Sequence, residues 1–268
     1  MNPILNTSAD KFPYQLLIDP PQSGAWNMGV DEALLELAAS AGIATLRFYQ
    51  WSEPTLSLGY FQSWQDRAQH PASRKAALVR RSSGGGAILH DRELTYSIAL
   101  PATHPFSQEP QRLYGITHEV IVSVLRRSLA ANGRLELFCE GNSQSLQEPF
   151  LCFQRRSPGD IVYLESTSGN FAETHKIVGS AQRRRFGAVL QHGSILLKRS
   201  PATPELPGLE DLCGTSPGPD ALARELLEEL PNRLKIAVFL GLLSPLLTSR
   251  ATELCEKKYS LAAWTCRR

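Results

Sequence analysis

The chain lacks most of the features that would place it outside the ordinary globular class. No run approaches the ~20 apolar residues that a membrane-spanning helix needs. The most apolar late segment, Ile236 to Leu243, stops at Ser244-Pro245 and reads as a buried helix. Charge of either sign is scarcely in excess: 28 basic against 26 acidic residues leave a net +2 over 268 residues. That is too mild for a nucleic-acid binder. Cysteine is sparse and odd in number (Cys139, Cys152, Cys213, Cys255 and Cys266), with no CxxC spacing. Neither a disulfide framework nor a metal site is expected, and the thiols read as reduced in a cytoplasmic protein. The first ten residues hold no basic stretch followed by an apolar one, so no secretory leader is expected. Glycine and proline are near average, which excludes collagen-like and low-complexity readings. What remains is a chain long enough to bury roughly three-quarters of its unfolded surface without a staple.

Periodicity gives a coarse outline. Met28 to Ala39 reads as a capped helix with Asp31 and Glu32 in its first turn and leucines at 34, 35 and 37. Leu46 to Gln50, Thr55 to Gln62 and Ala77 to Arg81 read as strands. Leu94 to Leu100 alternates like a half-buried strand. Leu113 to Leu129 repeats its apolar residues at spacings of three and four, with Gly133 just beyond. Leu135 to Cys139, Ile161 to Leu164, His175 to Ala181 and Ala188 to Leu197 are further strands, the last two joined by a turn at Arg184-Arg185-Phe186-Gly187. Pro201 to Pro219 reads as a loop. From Asp220 the pattern is helical to Arg268, with breaks near Pro231 and Ser244-Pro245. The expected fold is α+β: mixed or antiparallel central sheets flanked by helices. Residues 1–200 form the main domain, and a helical segment, 201–268, packs on it.

Three blocks could carry chemistry. Arg80-Arg81-Ser82-Ser83-Gly84-Gly85-Gly86 runs into His90-Asp91. Three glycines without Cβ let a ligand lie against backbone N–H groups, and two arginines could position an anion. The same run also suits a turn after an edge strand with its arginines in solvent. It matches neither a P-loop nor a dinucleotide fingerprint. Lys176-Ile177-Val178-Gly179-Ser180-Ala181-Gln182 places a lysine on a strand, as a site residue or as an outward charge. Gln191-His192-Gly193-Ser194 puts small polar residues inside an apolar strand, where a histidine is either structural or catalytic.

In order along the chain, these blocks resemble the lipoate–biotin protein ligase superfamily, in its lipoate ligase and octanoyltransferase branch. The resemblance begins at Asn27-Met28-Gly29-Val30-Asp31-Glu32-Ala33-Leu34. It continues through Arg47-Phe48-Tyr49-Gln50-Trp51, the run 54–62 and the three blocks above, and covers about residues 27–197. It implies the biotin/lipoate ligase catalytic fold and an elongated pocket for a medium-length acyl chain. The implied substrate-binding residues are Arg80, Arg81, Ser83, Gly84, Gly85, Gly86, His90, Gly179, Ser180, Ala181, Gln182, His192 and Gly193. Lys176 resembles the lysine that contacts the acyl carbonyl. No metal is implied. Residues 200–268 carry no recognised motif.

The branch divides by how the acyl group arrives. A lipoate ligase activates free lipoate with ATP and magnesium. An octanoyltransferase takes octanoate from acyl carrier protein through a cysteine thioester and requires no cofactor. Phe150-Leu151-Cys152-Phe153, ahead of the lysine strand, resembles octanoyltransferases of the glycine-cleavage-carrier type. Cys152 and Lys176 are then the implied catalytic pair. The reaction expected is transfer of octanoate from acyl carrier protein to a lysine of a lipoyl-type carrier domain, in lipoate biosynthesis. The alternatives are an ATP-dependent lipoate–protein ligase, an amidotransferase between lipoyl domains, and a non-catalytic carrier-binding protein on the same scaffold. No nucleic-acid or membrane partner is expected. The Cys152–Lys176 interval is several residues longer than the family pattern and is expected to form an extended loop or hairpin, so the sequence leaves their contact open. Arg155, Arg156, Arg183, Arg184 and Arg185 flank the site, either as solvated charge or as a docking rim for acidic carriers.

Overall fold

The computed structural model describes residues 12–129, 134–139, 149–165, 173–241 and 243–268. In chain order its elements begin with β1 (Phe12–Ile18), α1 (Gly24–Ala41), β2 (Ala44–Tyr49), β3 (Thr55–Leu58), β4 (Ala77–Arg80), β5 (Ile88–His90) and β6 (Glu93–Leu100). Next come α2 (Pro105–Gln108), α3 (Pro110–Ser128), β7 (Arg134–Leu137), β8 (Ile161–Leu164), β9 (Thr174–Arg185) and β10 (Ala188–Leu196). The last are α4 (Leu209–Cys213), α5 (Pro219–Arg233), β11 (Ile236–Leu240), α6 (Pro245–Leu254) and α7 (Ala262–Thr265). Eight strands form one mixed sheet in the order β11-β1-β2-β6-β10-β9-β8-β7, and a smaller sheet has the order β4-β3-β5.

The large sheet is covered on both faces. Leu34 and Leu35 of α1 and Leu247 of α6 pack on one side, together with Ala188 and Leu190 of β10. Leu113 to Leu125 of α3 and Leu222 to Leu230 of α5 pack on the other, together with Val189 and Ile195. All eight residues of β6 are therefore buried, and its alternating pattern separates two covered faces, not core from solvent.

Helix α1 starts at an N-cap, Ser23, whose Oγ accepts from the Trp26 N–H, and ends at Gly42 in the left-handed region, φ 69°. This start lies a turn ahead of the one read from the sequence. Asp31 and Glu32 consequently sit in the helix body, 2% and 8% exposed. Buried carboxylates there need partners, and Asp31 finds them at the site.

Two expectations for the tail are corrected. Ile236–Leu240 is a strand, not a buried helix: β11 adds in parallel to β1, with Phe12 opposite Ile236 and Leu16 opposite Leu240. The run is too short for a stable helix, and Lys235 at φ 56° turns the chain out of α5 just before it. The break expected near Pro231 falls just after it: α5 runs through the proline and ends at Arg233. The loop read over Pro201–Pro219 contains the short α4. The β9–β10 turn is tighter than expected, with only Phe186 and Gly187, at φ 49° and 80°, between the strands. Gly133, expected to follow α3, lies outside the described residues.

Candidate functional site

Strand alternation sorts the candidate residues. On β10, His192 and Ser194 follow Ala188 and Leu190 toward the α1 side, whereas Gln191 and Gly193 follow Val189 toward the α3 side. Strand β9 is paired so that Ala181 lies opposite His192 and Gly179 opposite Ser194. Gly179 and Ala181 thus share the face of His192. Ser180 and Gln182, grouped with them in the sequence reading, turn to the α3 side.

On the α1 side, Asp31 is the hub. His192 Nδ1 lies 3.0 Å from Asp31 Oδ2, Ser97 Oγ donates to Oδ1 at 2.6 Å, and Arg47 Nη1 reaches Oδ1 at 2.9 Å. Burial alone would raise the Asp31 pKa. The hydrogen bond from His192 and the charge of Arg47 outweigh it and bring the pKa below its ordinary value. An ionised Asp31 fixes the tautomer of His192: Nδ1 donates to the carboxylate, so Nε2 accepts from Ser83 Oγ at 2.6 Å. The glycine-rich loop is thereby tied to the sheet. A second histidine is held in the same way. His90 Nδ1 meets Glu93 Oε1 at 2.7 Å, Nε2 meets Ser57 Oγ at 2.8 Å, and the Trp51 indole stacks on the ring at 3.8 Å. Burial lowers the His90 pKa against the pull of Glu93.

Both arginines of the first block are buried and bonded to backbone carbonyls. Arg80 reaches Thr265 O through Nε and Nη2, and Gln62 O through Nη1 at 2.6 Å. Arg81 reaches Ser57 O at 2.9 Å, and Gly84 O and Gly86 O at 2.7 Å each. Burial holds the Arg81 pKa down to about 10. These side chains clamp the loop and α7 from within.

Cys152 comes up against this loop. Its N–H donates to Ala87 O at 2.7 Å, and a Cβ on Gly86 would fall 3.0 Å from that nitrogen. A side chain there would press on the Cys152 backbone, and glycine removes that contact. The long interval after Cys152 folds back as the β8–β9 hairpin, whose tip, 166–172, lies outside the described residues. The hairpin returns Lys176 to the cysteine: Nζ is 3.7 Å from Cys152 Sγ and 2.8 Å from Asp160 Oδ2. The lysine crosses Gly179, where a Cβ would sit 2.7 Å from Nζ. Asp160 also accepts from Tyr114 Oη at 2.6 Å and from the Ser157 N–H at 2.7 Å. Lys176 and Asp160 are almost wholly buried, whereas the residue Cys152 is partly exposed.

Behind the strand runs a chain of hydrogen bonds that the sequence reading missed. His118 Nδ1 faces Gly159 O at 2.7 Å and must donate, so Nε2 accepts from Ser180 Oγ at 2.6 Å. Ser180 then accepts from Tyr96 Oη at 2.5 Å, and Tyr96 accepts from Gln191 Nε2 at 3.2 Å. Gln191 Oε1 in turn accepts from Gln182 at 2.7 Å. Burial keeps His118 neutral, with a pKa of about 4, and pushes Tyr96 up to about 12. The available signal was a lone histidine in the apolar stripe of α3.

The arginine rim is dispersed. Arg185 pairs with Glu36 at 2.9 Å, Arg156 bonds to Thr174 O, and Arg155 Nε donates to Pro149 O at 2.6 Å. Arg183 lies over the Tyr60 ring. Among the described residues, one group of metal-ligating type occurs, Glu165, Glu173 and His175. It lies at the surface, with the carboxylates 3.7–3.8 Å from the His175 ring, and reads as ion pairing.

Known proteins resemble the chain in sequence and fold. Over 195 residues the chain is 38% identical to the octanoyltransferase LipM of Kyrpidia tusciae, covering 70% of this chain and 67% of that one. Over 182 residues it is 38% identical to the octanoyltransferase LipM of Anoxybacillus flavithermus, covering 65% and 62%. The match thus spans about two-thirds or less of these relatives' length. The fold is also that of a bipartite lipoate protein ligase from Thermoplasma acidophilum, with a TM-score of 0.69 over 95% of this chain and 96% of that one, at 20% identity. The profile of the lipoyl protein ligase A/B catalytic domain matches residues 23–203, more than half of the chain. On that match the chain belongs to the lipoyl protein ligase A/B catalytic domain family.

Proposed function

We propose that this chain is an octanoyltransferase that carries its acyl group on Cys152 and passes it to a lysine of a lipoyl-type carrier domain. The observation that carries the reading is the Cys152 sulfur lying 3.7 Å from the Lys176 ammonium, on a partly exposed residue beside the glycine-rich loop. The LipM relatives support the same chemistry.

In the first step Cys152 Sγ attacks the carbonyl carbon of octanoyl–acyl carrier protein. A C–S bond forms to Cys152, the C–S bond to the carrier breaks, and the thiol proton ends on the departing sulfur. The Lys176 ammonium, held by Asp160, is placed to offset negative charge on sulfur and on the carbonyl oxygen. The N–H groups of Gly85 and Gly86 donate to no other described residue and are available for the same oxygen. In the second step a carrier lysine amine attacks the acyl-cysteine. A C–N bond forms, the C–S bond breaks and the amine proton returns to Cys152. Thioester exchange is nearly balanced, whereas amide formation runs downhill, so no ATP is needed. In this reading the acyl chain lies along the loop and the Gly179–Ala181 face, with each buried methylene contributing about 0.8 kcal/mol. Arg80, Arg81, Ser83, His90 and His192 then act by fixing the loop and floor of this cleft.

The test is intact-protein mass after mixing with octanoyl–acyl carrier protein in the absence of ATP. Wild type should gain a hydroxylamine-labile octanoyl adduct and Cys152→Ala should not. No adduct on wild type, with ATP, magnesium and lipoate acylating a carrier domain instead, would overturn the reading in favour of a ligase.

A further inference from the structure

Three arginines gather around Tyr60 beside the glycine-rich loop. Arg267 donates to Tyr60 O at 3.3 Å and lies between the Tyr60 and Trp264 rings, but no carboxylate among the described residues neutralises the group. The guanidinium of Arg267 lies 3.8 Å from the Tyr60 ring centroid, that of Arg183 5.2 Å and that of Arg268 5.9 Å. Among the described residues none of the three pairs with a carboxylate, unlike Arg185 and Arg250, which share Glu36. Arg267 Nε is buried without a partner. The buried Arg80 lies close enough for Arg267 and Arg268 to lower its pKa further, after burial itself. Like charges gathered around one ring repel, and an anion between them would relieve that cost.

The position of the cluster indicates which anion. Phe61, 67% exposed and 5.3 Å from the Arg268 guanidinium, lies against Gly84: a Cβ there would be 3.8 Å from its ring. The cluster therefore flanks Gly84, and Cys152 lies against Gly86, two residues further along the same loop. On the opposite wall Arg183 shares the strand face of Gly179 and Ala181. It stands four residues from Gly179, roughly 13 Å along the strand. A ligand reaching Cys152 from this side passes along the loop and presents its distal end to the arginines.

Resting on the thioester-donor reading above, we propose that Arg183, Arg267 and Arg268, with Tyr60 as their platform, bind the phosphate of the phosphopantetheine arm that delivers the acyl thioester. The arm is a flexible chain with a phosphate at one end and the reacting sulfur at the other. A site that holds the phosphate orders the chain and directs the thioester to Cys152. Guanidiniums suit a phosphate because their N–H groups match its oxygens in pairs.

The experiment compares octanoyl-4′-phosphopantetheine with octanoyl-pantetheine as donors, following the rate of Cys152 acylation by intact mass. Wild type should show a KM about tenfold lower for the phosphorylated donor, the size of one charge-assisted contact. In R267Q/R268Q, and separately in Arg183→Gln, that ratio should fall toward one, with kcat for the phosphorylated donor changing less than KM. Among the described residues the Arg183 side chain makes no hydrogen bond, so its variant guards against misfolding of the double one. Equal KM values for the two donors in wild type, or a ratio retained in both variants, overturns the phosphate site alone. Acylation by neither donor, nor by octanoyl–acyl carrier protein, overturns the thioester reading and this proposal with it.

Discussion

Replacing Lys176 by methionine tests whether one residue serves both the fold and the chemistry. Its ammonium is buried 2.8 Å from Asp160, itself 1% exposed. Removing it strands a carboxylate among two remaining donors, Tyr114 and the Ser157 N–H. Breaking a buried pair in this way costs about 3–5 kcal/mol, a large part of the roughly 5–15 kcal/mol that holds a domain together. At about 2–4 °C per kcal/mol for a chain of this size, Lys176→Met should lower Tm by roughly 6–20 °C. Adding Asp160→Asn removes the stranded charge and keeps one acceptor oxygen, so the double variant should recover most of that loss. Acylation of Cys152 should not recover with it, because the ammonium beside the sulfur is still missing. Scanning calorimetry and intact mass on the four proteins of the cycle read the two effects separately. A single variant that melts within about 2 °C of wild type would refute the energetic argument. A double variant acylated at the wild-type rate would refute the catalytic one.

Other perturbations give separate readouts. Burial lowers the His118 pKa from 6.5 to about 4, so the unfolded chain binds a proton that the folded one refuses between those values. Stability from this group is complete above about pH 6.5 and falls by roughly 3 kcal/mol as pH drops to 4. Urea midpoints for wild type and His118→Gln should converge on acidification, and parallel curves would contradict this. A Cβ on Gly193 would meet Ser180 Oγ, and would lie 2.8 Å from the Tyr96 ring and 2.9 Å from Gly179 O. Gly193→Ala should therefore destabilise by about 1–3 kcal/mol, visible as a lower Tm. Arg185 is occupied by Glu32 and Glu36 at a half-exposed site, so Arg185→Gln should shift Tm by no more than a degree or two and leave acyl transfer unchanged. Transfer from an acidic carrier should slow as salt rises, because screening shortens the reach of Arg183, Arg267 and Arg268. A rate independent of ionic strength would count against docking by charge.

Local pattern carried most of the frame. The spacing over 113–129 specified α3, and the glycine run, Lys176, Cys152 and His192 supplied the candidate site residues, because backbone approach and chemical type are written in single residues. What local pattern could not supply is direction. Ser180 and Ala181 are neighbours in the chain, yet the pleat sends Ser180 to His118 and Ala181 to the face of His192. Arg80 and Arg81 look like ligand-binding charges until folding surrounds them with carbonyls. The run Ile236–Leu240 could be helix or strand on apolar content alone, and only pairing with β1 decided it.

The sequence by itself determined the chemical inventory and its order: a thiol ahead of a lysine, a loop free of side chains and two histidines in largely apolar strands. The tertiary structure decided which of these meet. Cys152 and Lys176 lie 24 residues apart, and the β8–β9 hairpin with the Asp160 carboxylate returns the lysine to the sulfur. Asp31 and His192 are separated by 161 residues and meet only because α1 packs across β10. Contacts of that range follow from sheet order and helix packing, which no short stretch of sequence encodes.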